Sequence, residues 1–481
     1  MSSETPNHPQ VHDVLIIGAG VAGCGVAQAF AKQGRRILVV ERSLKEPDRI
    51  VGELLQPGGM DALARLGLSE CVQDIGATPV EGYHLYWKGE EEATFWFCPP
   101  SDSAPSGSRS CGADEAETPS GRSFHHGKFV GKLRRRIARE ENITLVEATA
   151  LEILREARTG AVIGAKCSTG RDGDTINYLA HLTILADGSG SNFRSQFTAC
   201  RPQAQSRFWG LELLDADLPF HNYAYGVIGS GPPMLMYQIS PRETRILIDI
   251  PNTVYAEIGG SRGVPAYIRD RVAASVPDSV KPSLRDAVDR GRLRSMPNAW
   301  VPSTQNRTPG LVVLGDAANM RHPLTGGGMT VALKDAILLS RLLDPAEIPS
   351  LEDSGAVLRR MSTFHWRRKM HAASLNILAQ ALYLLFVTEG NPRLQIMQTG
   401  FVRYIQAGKE NFAEPVAIMG GIVENPLRLF YQFVRIAVYS VQIHLRQAGL
   451  LGFPRALAQS FLVFVRAVGI ILPSILAELK A

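Results

Sequence analysis

Four stretches of the chain are apolar without interruption by charge: Val14-Leu15-Ile16-Ile17, Ile37-Leu38-Val39-Val40, Leu182-Thr183-Ile184-Leu185-Ala186 and Leu311-Val312-Val313-Leu314. Strands of this kind are buried on both faces, as in a parallel sheet covered by helices. The alanine-rich stretch from Val21 to Gly34 predicts the first covering helix, and Met329-Thr330-Val331-Ala332-Leu333 begins another. Between about 201 and 294 the pattern changes to short runs such as 233–239 and 245–250, which predict a second sheet. Beyond about 346 the pattern is helical throughout, with no internal repeat.

The last segment has a different pattern. Arg428, Gln432, Arg435, Tyr439, Gln442 and Arg446 recur at spacings of four and three, forming one narrow polar stripe on an otherwise apolar surface. Residues 456–477 repeat the idea, with Gln459 and Arg466 interrupting Phe461-Leu462-Val463-Phe464-Val465 and Val468-Gly469-Ile470-Ile471-Leu472. A simple span wants roughly 20 nearly uncharged residues, and arginines inside both segments argue against it. A soluble helix shows a narrower apolar face. Helices lying in one leaflet fit this pattern, and a buried helical hairpin is the alternative.

These elements predict an α/β protein with a discontinuous dinucleotide-binding domain at 12–98, 122–200 and 295–345. A low-complexity loop occupies 99–121, a substrate-binding sheet 201–294, and a helical region 346–481, membrane-associated from about 426.

The junctions carry the chemistry. Gly18-Ala19-Gly20-Val21-Ala22-Gly23 joins the first strand to its helix, and Glu41 ends the second strand. In that frame Gly18 makes the turn and Gly20 lets backbone approach a pyrophosphate. Gly23 permits close helix–strand packing, and Glu41 stands where a ribose hydroxyl is held. A glycine fingerprint alone is weak; strand, helix and acid together predict a dinucleotide site. No second fingerprint of this quality follows, which points to one tightly held dinucleotide, FAD, over separate FAD and NAD(P)H folds. Asp187-Gly188 and Gly315-Asp316 each follow a strand at its carboxyl end, where open α/β sheets bind ligands. Gly326-Gly327-Gly328 then lets backbone come close to something flat or charged before a helix begins.

Composition narrows the setting. The chain has 481 residues, 45% hydrophobic, with a net charge of +5. That mild excess fits an anionic membrane surface or an acidic redox partner. No basic block is interleaved with aromatics, so nucleic acid is not expected as a partner. The cysteines, Cys24, Cys71, Cys98, Cys111, Cys167 and Cys200, form no CxxC pair and read as reduced thiols facing the cytosol. Residues 1–10 lack an apolar core, so no signal peptide is expected. The paired histidines His125 and His126 have no cysteine or carboxylate at ligand spacing and read as structural; no metal is expected.

Six strings together resemble the squalene monooxygenase (squalene epoxidase) family: Val51 to Gly59 (VGELLQPGG), Gly121 to Gly127 (GRSFHHG), Leu235 to Ser240 (LMYQIS), Arg294 to Pro297 (RSMP), Gly315 to Ala332 (GDAANMRHPLTGGGMTVA) and Asn376 to Tyr383 (NILAQALY). They run in order over nearly the whole chain from about residue 12. Two departures stand out: nothing before Val11 resembles the extra amino-terminal segment of longer members, and 99–121 looks like a local insertion.

The resemblance implies epoxidation of squalene to (S)-2,3-epoxysqualene, with a flavin C4a-hydroperoxide, formed from reduced FAD and O2, delivering the oxygen. It implies electrons from NADPH through NADPH–cytochrome P450 reductase, and a place on the cytosolic side of the endoplasmic reticulum membrane, in contact with lipid. Residue by residue, Glu41, Arg42, Arg49, Arg134, Asp316 and Met329 match FAD-contacting positions. Gln56, Tyr83 and Tyr237 match positions beside flavin and substrate, with a Tyr83–Gln56 hydrogen bond orienting the tyrosine; Pro323, Leu324 and Gly326 to Gly328 floor the tunnel. The plainer readings are a core aromatic at Tyr83 and an inward-facing strand residue at Tyr237. Two rival functions remain: a flavin epoxidase or hydroxylase of another terpenoid, and a lipid carrier that keeps the fold without redox chemistry.

Overall fold

The computed structural model describes residues 11–479, apart from 88–89, 99–117, 171–173, 230 and 388–390. Most of the predicted 99–121 loop therefore lies outside the described residues. The four apolar runs all enter one sheet, made of β1 (Val11–Ile17), β2 (Ile37–Glu41), β8 (Ile143–Glu147), β9 (Thr149–Arg155), β10 (Val162–Ser168), β11 (Thr175–Leu185) and β17 (Leu311–Val313). Its order is β8-β2-β1-β11-β10-β9, with β17 also on β11. The pairs β8–β2, β2–β1, β1–β11 and β11–β17 are parallel. Val14 and Ile16 join the core on one face, Leu15 and Ile17 the core on the other. Double-sided burial is why these runs lack alternation.

The second sheet contains β5 (Gly82–Trp87), β6 (Glu90–Trp96), β12 (Gln203–Leu214), β13 (Tyr223–Ile228), β14 (Met234–Ser240), β15 (Glu243–Pro251) and β16 (Arg294–Trp300). Its order is β16-β12-β15-β14-β13-β5-β6. Here the boundaries differ from the sequence reading. Residues 82–96 pair with the second sheet through β5 and β13, and Arg294–Trp300 pairs with β12. The sequence pattern places 82–96 and 295–300 in the dinucleotide half, because strand partners are set by long-range register that local pattern does not carry. A small third sheet joins β3 (Leu54–Leu55), β7 (Gly121–Ser123) and β4 (Thr78–Val80).

The two faces of the second sheet differ. Leu211, Met236, Ile246 and Ile248 pack beneath short helices that include Val264 and Leu284. The other face, with Phe208, Tyr237, Ile239 and Leu247, meets Leu324 and the helical region through Tyr383, Val402, Tyr404 and Phe412. That region comprises Ser354–Phe386, Pro392–Gln406, Lys409–Met419 and Pro426–Leu479. The last helix is broken at Gly449, whose φ of 62° with ψ of −178° no helix accommodates. Its second limb, Gly452–Leu479, is long and apolar enough to cross a membrane by length and composition.

A dinucleotide cleft and an apolar chamber

At the carboxyl edge of the first sheet lies a cleft of about 210 Å³, lined by Gly18, Gly20, Glu41, Arg42, Arg49 and Arg134 among others. Gly18 turns at φ +105°, where a Cβ would stand 2.6 Å from the Ala186 carbonyl oxygen. A Cβ on Gly23 would lie 1.9 Å from the Gly18 oxygen, so helix and strand touch backbone to backbone. Gly20 is the N-cap of the helix Val21–Ala31. At Gly20, Gly188 and Gly190, all lining the cleft, a Cβ would meet nothing within 4 Å. The three glycines leave open room where a ligand's backbone-hugging part would run.

The acid and the arginine are tied together. Glu41 accepts the Ala19 amide at 2.8 Å and faces Arg134 Nη2 at 3.4 Å. Arg134 is buried and donates through Nε to the Ala19 carbonyl at 2.9 Å and through Nη1 to those of Ser43 and Lys45. Arg49 reaches Ser189 across the cleft at 3.4 Å. Asp187 Oδ1 is buried without a hydrogen-bond partner, and burial pushes this carboxyl above its ordinary range. An open glycine floor, cationic walls, a helix N-terminus and an acid on the second strand fit the adenosine and pyrophosphate part of FAD.

One residue missed by the sequence reading links the two acidic turns. Arg194, buried, donates to the carbonyls of Ala317 (2.9 Å), Gly188 (3.1 Å), Ser189 (2.8 Å) and Asp316 (2.9 Å). The available signal was an arginine a few residues after Asp187-Gly188, among small polar residues. Asp316 and Met329 do not line the cleft. Asp316 sits in the turn Gly315–Ala317 after β17, where a Cβ on Gly315 would come within 2.9 Å of Ala22 at the start of the glycine helix. Met329 is buried in the first turn of Gly328–Leu342.

The paired histidines have separate partners. His125 Nε2 lies 2.7 Å from Glu243, while His126 Nδ1 donates to the Gly52 carbonyl at 2.9 Å. Burial draws His126 down to about 4, against the Gly52 bond, so it is neutral near pH 7.

Tyr83 and Gln56 meet as expected. The Tyr83 hydroxyl donates to Gln56 Oε1 at 2.8 Å, and Gln56 Nε2 donates to the Thr325 carbonyl at 2.8 Å. Gln56 is buried; Tyr83 is half-buried and packs edge-on against Phe97 at 5.4 Å. Burial pushes the Tyr83 phenol above its ordinary value, opposed by the Gln56 bond, so it stays neutral. Tyr237 and Leu324 are buried in the same aromatic cluster, and Pro323 opens the turn Pro323–Thr325. Below them Arg245 grips Glu53 with two bonds, 2.8 and 3.0 Å, both side chains buried. That pair ties the β3 segment to β15.

A glycine cleft at one sheet, with an apolar and aromatic cluster packed on the face of a second, is the arrangement of a flavoprotein monooxygenase fold. The solved structure of PqsL from Pseudomonas aeruginosa, described as a probable FAD-dependent monooxygenase, matches it with a TM-score of 0.63 at 22% identity, covering 80% of this chain and 99% of that one. A family model for squalene epoxidase matches residues 179–458. The squalene epoxidase of Aspergillus fumigatus is 44% identical over 466 residues, 97% of this chain and 93% of its own length. That of Saccharomyces cerevisiae is 35% identical over 491 residues, 97% and 96%. The chain belongs to the squalene epoxidase family.

Proposed function

We propose that this chain is an FAD-dependent squalene monooxygenase that converts squalene to (S)-2,3-epoxysqualene for sterol biosynthesis, using O2. The carrying observation is the Tyr83–Gln56–Thr325 chain of hydrogen bonds at the edge of an aromatic cluster, in a member of this family. FAD, when bound, supplies the oxygen-transfer chemistry. The residues' share is placement. Glu41, Arg134, Arg42, Arg49 and Asp316, with Gly18, Gly20 and Gly23, hold the cofactor's sugar and phosphate parts, and Met329 packs at its helix end. Squalene offers no polar handle, so Tyr237, Leu324, Pro323 and the surrounding aromatics must grip it by shape and exclude water. Gln56 holds one hydroxyl direction of Tyr83 and thereby fixes the ring that borders the reacting alkene.

The single dinucleotide fingerprint speaks against a second fold for NADPH, and the family resemblance implies electrons from NADPH through a separate NADPH–cytochrome P450 reductase. The outward apolar face of Gly452–Leu479 supports association with a membrane and substrate entry from lipid, and the family resemblance implies the cytosolic side of the endoplasmic reticulum. The test is incubation of purified protein with FAD, squalene, NADPH and reductase, with products identified by mass spectrometry. Monoepoxide appearing only with reductase supports the reading. Rapid bleaching of bound flavin by NADPH alone would remove the reductase, and oxidation of another terpenoid in preference to squalene would reassign the substrate.

A further inference from the structure

Beside the aromatic cluster that holds Leu324 and Tyr383 lies a buried polar knot. His322, 3% exposed, precedes the turn Pro323–Thr325, and its Nδ1 accepts the Leu324 amide at 3.3 Å, capping that turn. Its Nε2 faces Ser206 Oγ at 3.3 Å and Asp249 Oδ2 at 3.2 Å. Asp249 has no exposed surface. Asn298 Nδ2 occupies its other oxygen at 2.8 Å and also reaches Ser206 Oγ at 3.0 Å. Oδ2 is buried without a well-aligned donor among the described residues: His322 Nε2 lies beside it at ion-pair distance, but its hydrogen bond goes to Ser206 Oγ. Tyr383 stacks on the imidazole at 4.3 Å with the planes 19° apart.

We propose that Asp249 is a positioning residue for the reaction: it selects the His322 tautomer and, through the turn that His322 caps, sets the aim of Tyr83. The inference rests on the role given to Tyr83 above. A neutral imidazole has one donor nitrogen and one acceptor. The Leu324 amide needs a bare Nδ1, so the proton belongs on Nε2, where the Ser206 oxygen receives it and the adjacent Asp249 carboxylate favours an N–H over a lone pair by its charge. With the reverse tautomer, an N–H would confront the Leu324 N–H and the cap would fail. The far end of the same turn is the Thr325 carbonyl, which takes Gln56 Nε2 and so turns Gln56 Oε1 to Tyr83. Each contact sets the direction of the next, from a fully buried carboxylate on β15 to the Tyr83 hydroxyl.

Asp249→Asn tests this with little change of shape. Its Oδ1 can keep the Asn298 bond, which turns its amide hydrogens toward Nε2 and favours the wrong tautomer. In the full-length holoenzyme, hydrogen–deuterium exchange at the Leu324 amide should quicken about tenfold, the value of one lost cap. Squalene turnover should fall about ten- to a hundredfold, with FAD content and KM unchanged, because a misaimed group costs rate. His322→Asn supplies a cap acceptor that does not depend on a tautomer. In that background, adding Asp249→Asn should cost nothing further. Unchanged Leu324 exchange in Asp249→Asn overturns the proposal. So does an undiminished Asp249 effect in the His322→Asn background, which would mark Asp249 as merely structural. Failure of the unaltered enzyme to oxidise squalene would sink the substrate assignment instead, and would leave the exchange result standing.

Discussion

The glycine cleft and the C-terminal limb arrange the same kinds of side chain in opposite order. Around the cleft, Val14, Leu15 and Ile16 are wholly buried, while Arg42 and Arg49 line the open side. Along Gly452–Leu479, Ser460, Ser474 and Glu478 are buried, whereas Phe461 (68% exposed), Leu457, Val465, Leu476 and Leu479 face out. The buried set Ala456, Ser460, Val463, Ala467, Ile470, Ser474 and Glu478 recurs every three or four residues, so one narrow face meets the protein. The outward face of the limb suits hydrocarbon better than water, and the proposed lipid contact would remove the penalty on an outward phenylalanine. Inside, each polar group on the limb needs a partner, and Glu478 has several. It accepts from Asn376 Nδ2 at 2.7 Å and from Lys369 Nζ. Asn376 in turn holds Arg321, in the loop that leads to His322.

The sharpest break of the cleft is Gly23→Ala. The clash would be with the Gly18 backbone at 1.9 Å, which has no rotamer to change. We expect a loss of about 3 kcal/mol or more, read as loss of both soluble yield and bound flavin. Near-normal flavin content in this variant would mean the helix does not rest on the turn.

Glu478→Ala probes the other region from within. It strips a partner from a buried lysine and from Asn376, and removing one member of a buried pair costs about 3 kcal/mol. Thermal unfolding in detergent, followed by flavin fluorescence, should shift down, and Lys369→Met should restore most of the loss. Deleting everything from residue 426 is a blunter experiment. It would also remove Gln432, which bonds Tyr404 at 3.0 Å and Glu414 within the protein. Point changes therefore separate anchoring from packing better than truncation does.

How far each region can be read from sequence follows the same divide. The cleft is written in contiguous residues: the strand Asp13–Ile17, the glycines, and Glu41 all within one βαβ unit, so turn chemistry and apolar runs located it. The family strings likewise located Gln56 and Tyr83. Arg194, Asp249, Glu53–Arg245 and Glu478–Asn376 were not legible, because each acts through a partner from 49 to 192 residues away or through several carbonyls at once. The polar stripe at 428–446 was read as one face, yet its members part company. Gln432 is buried and Arg435 reaches Asn411, but Gln442 and Arg446 are exposed. Helical spacing gives the face, but which of its members are covered is set by the neighbouring helices, through Tyr404 and Asn411.

A third test exploits acid. His126 lines the cleft buried and neutral, drawn down to about 4 chiefly by burial. An unfolded histidine titrates near 6.5, so between about 6.5 and 4 the unfolded chain binds the extra proton and stability falls with falling pH. The full effect is about 3 kcal/mol at pH 4 and close to nothing at pH 7.5. His126→Asn can still donate to the Gly52 carbonyl and does not titrate. Melting temperatures measured across this range should converge at neutral pH and diverge in acid, with the variant less sensitive. Parallel curves would assign the acid loss to other groups.

The smallest expected change in fold stability comes from Phe461→Ser, and it discriminates best between the two arrangements. In the first sheet's core, removing an aromatic side chain costs about 3–5 kcal/mol, because a cavity opens and apolar contact is lost. Phe461 has few protein neighbours to lose, so in detergent the unfolding temperature should stay within the range of an ordinary surface substitution, about 0.5 kcal/mol. The same change removes apolar area from the face proposed to enter the bilayer, at about 25 cal/mol per Å². Liposome flotation should therefore weaken, and weaken further when Leu472→Ser is added on the same outward face. Detergent-phase stability that drops as a core substitution would, with flotation unchanged, shows that the outward face is packed against protein in solution. Unchanged stability with reduced flotation places lipid against it.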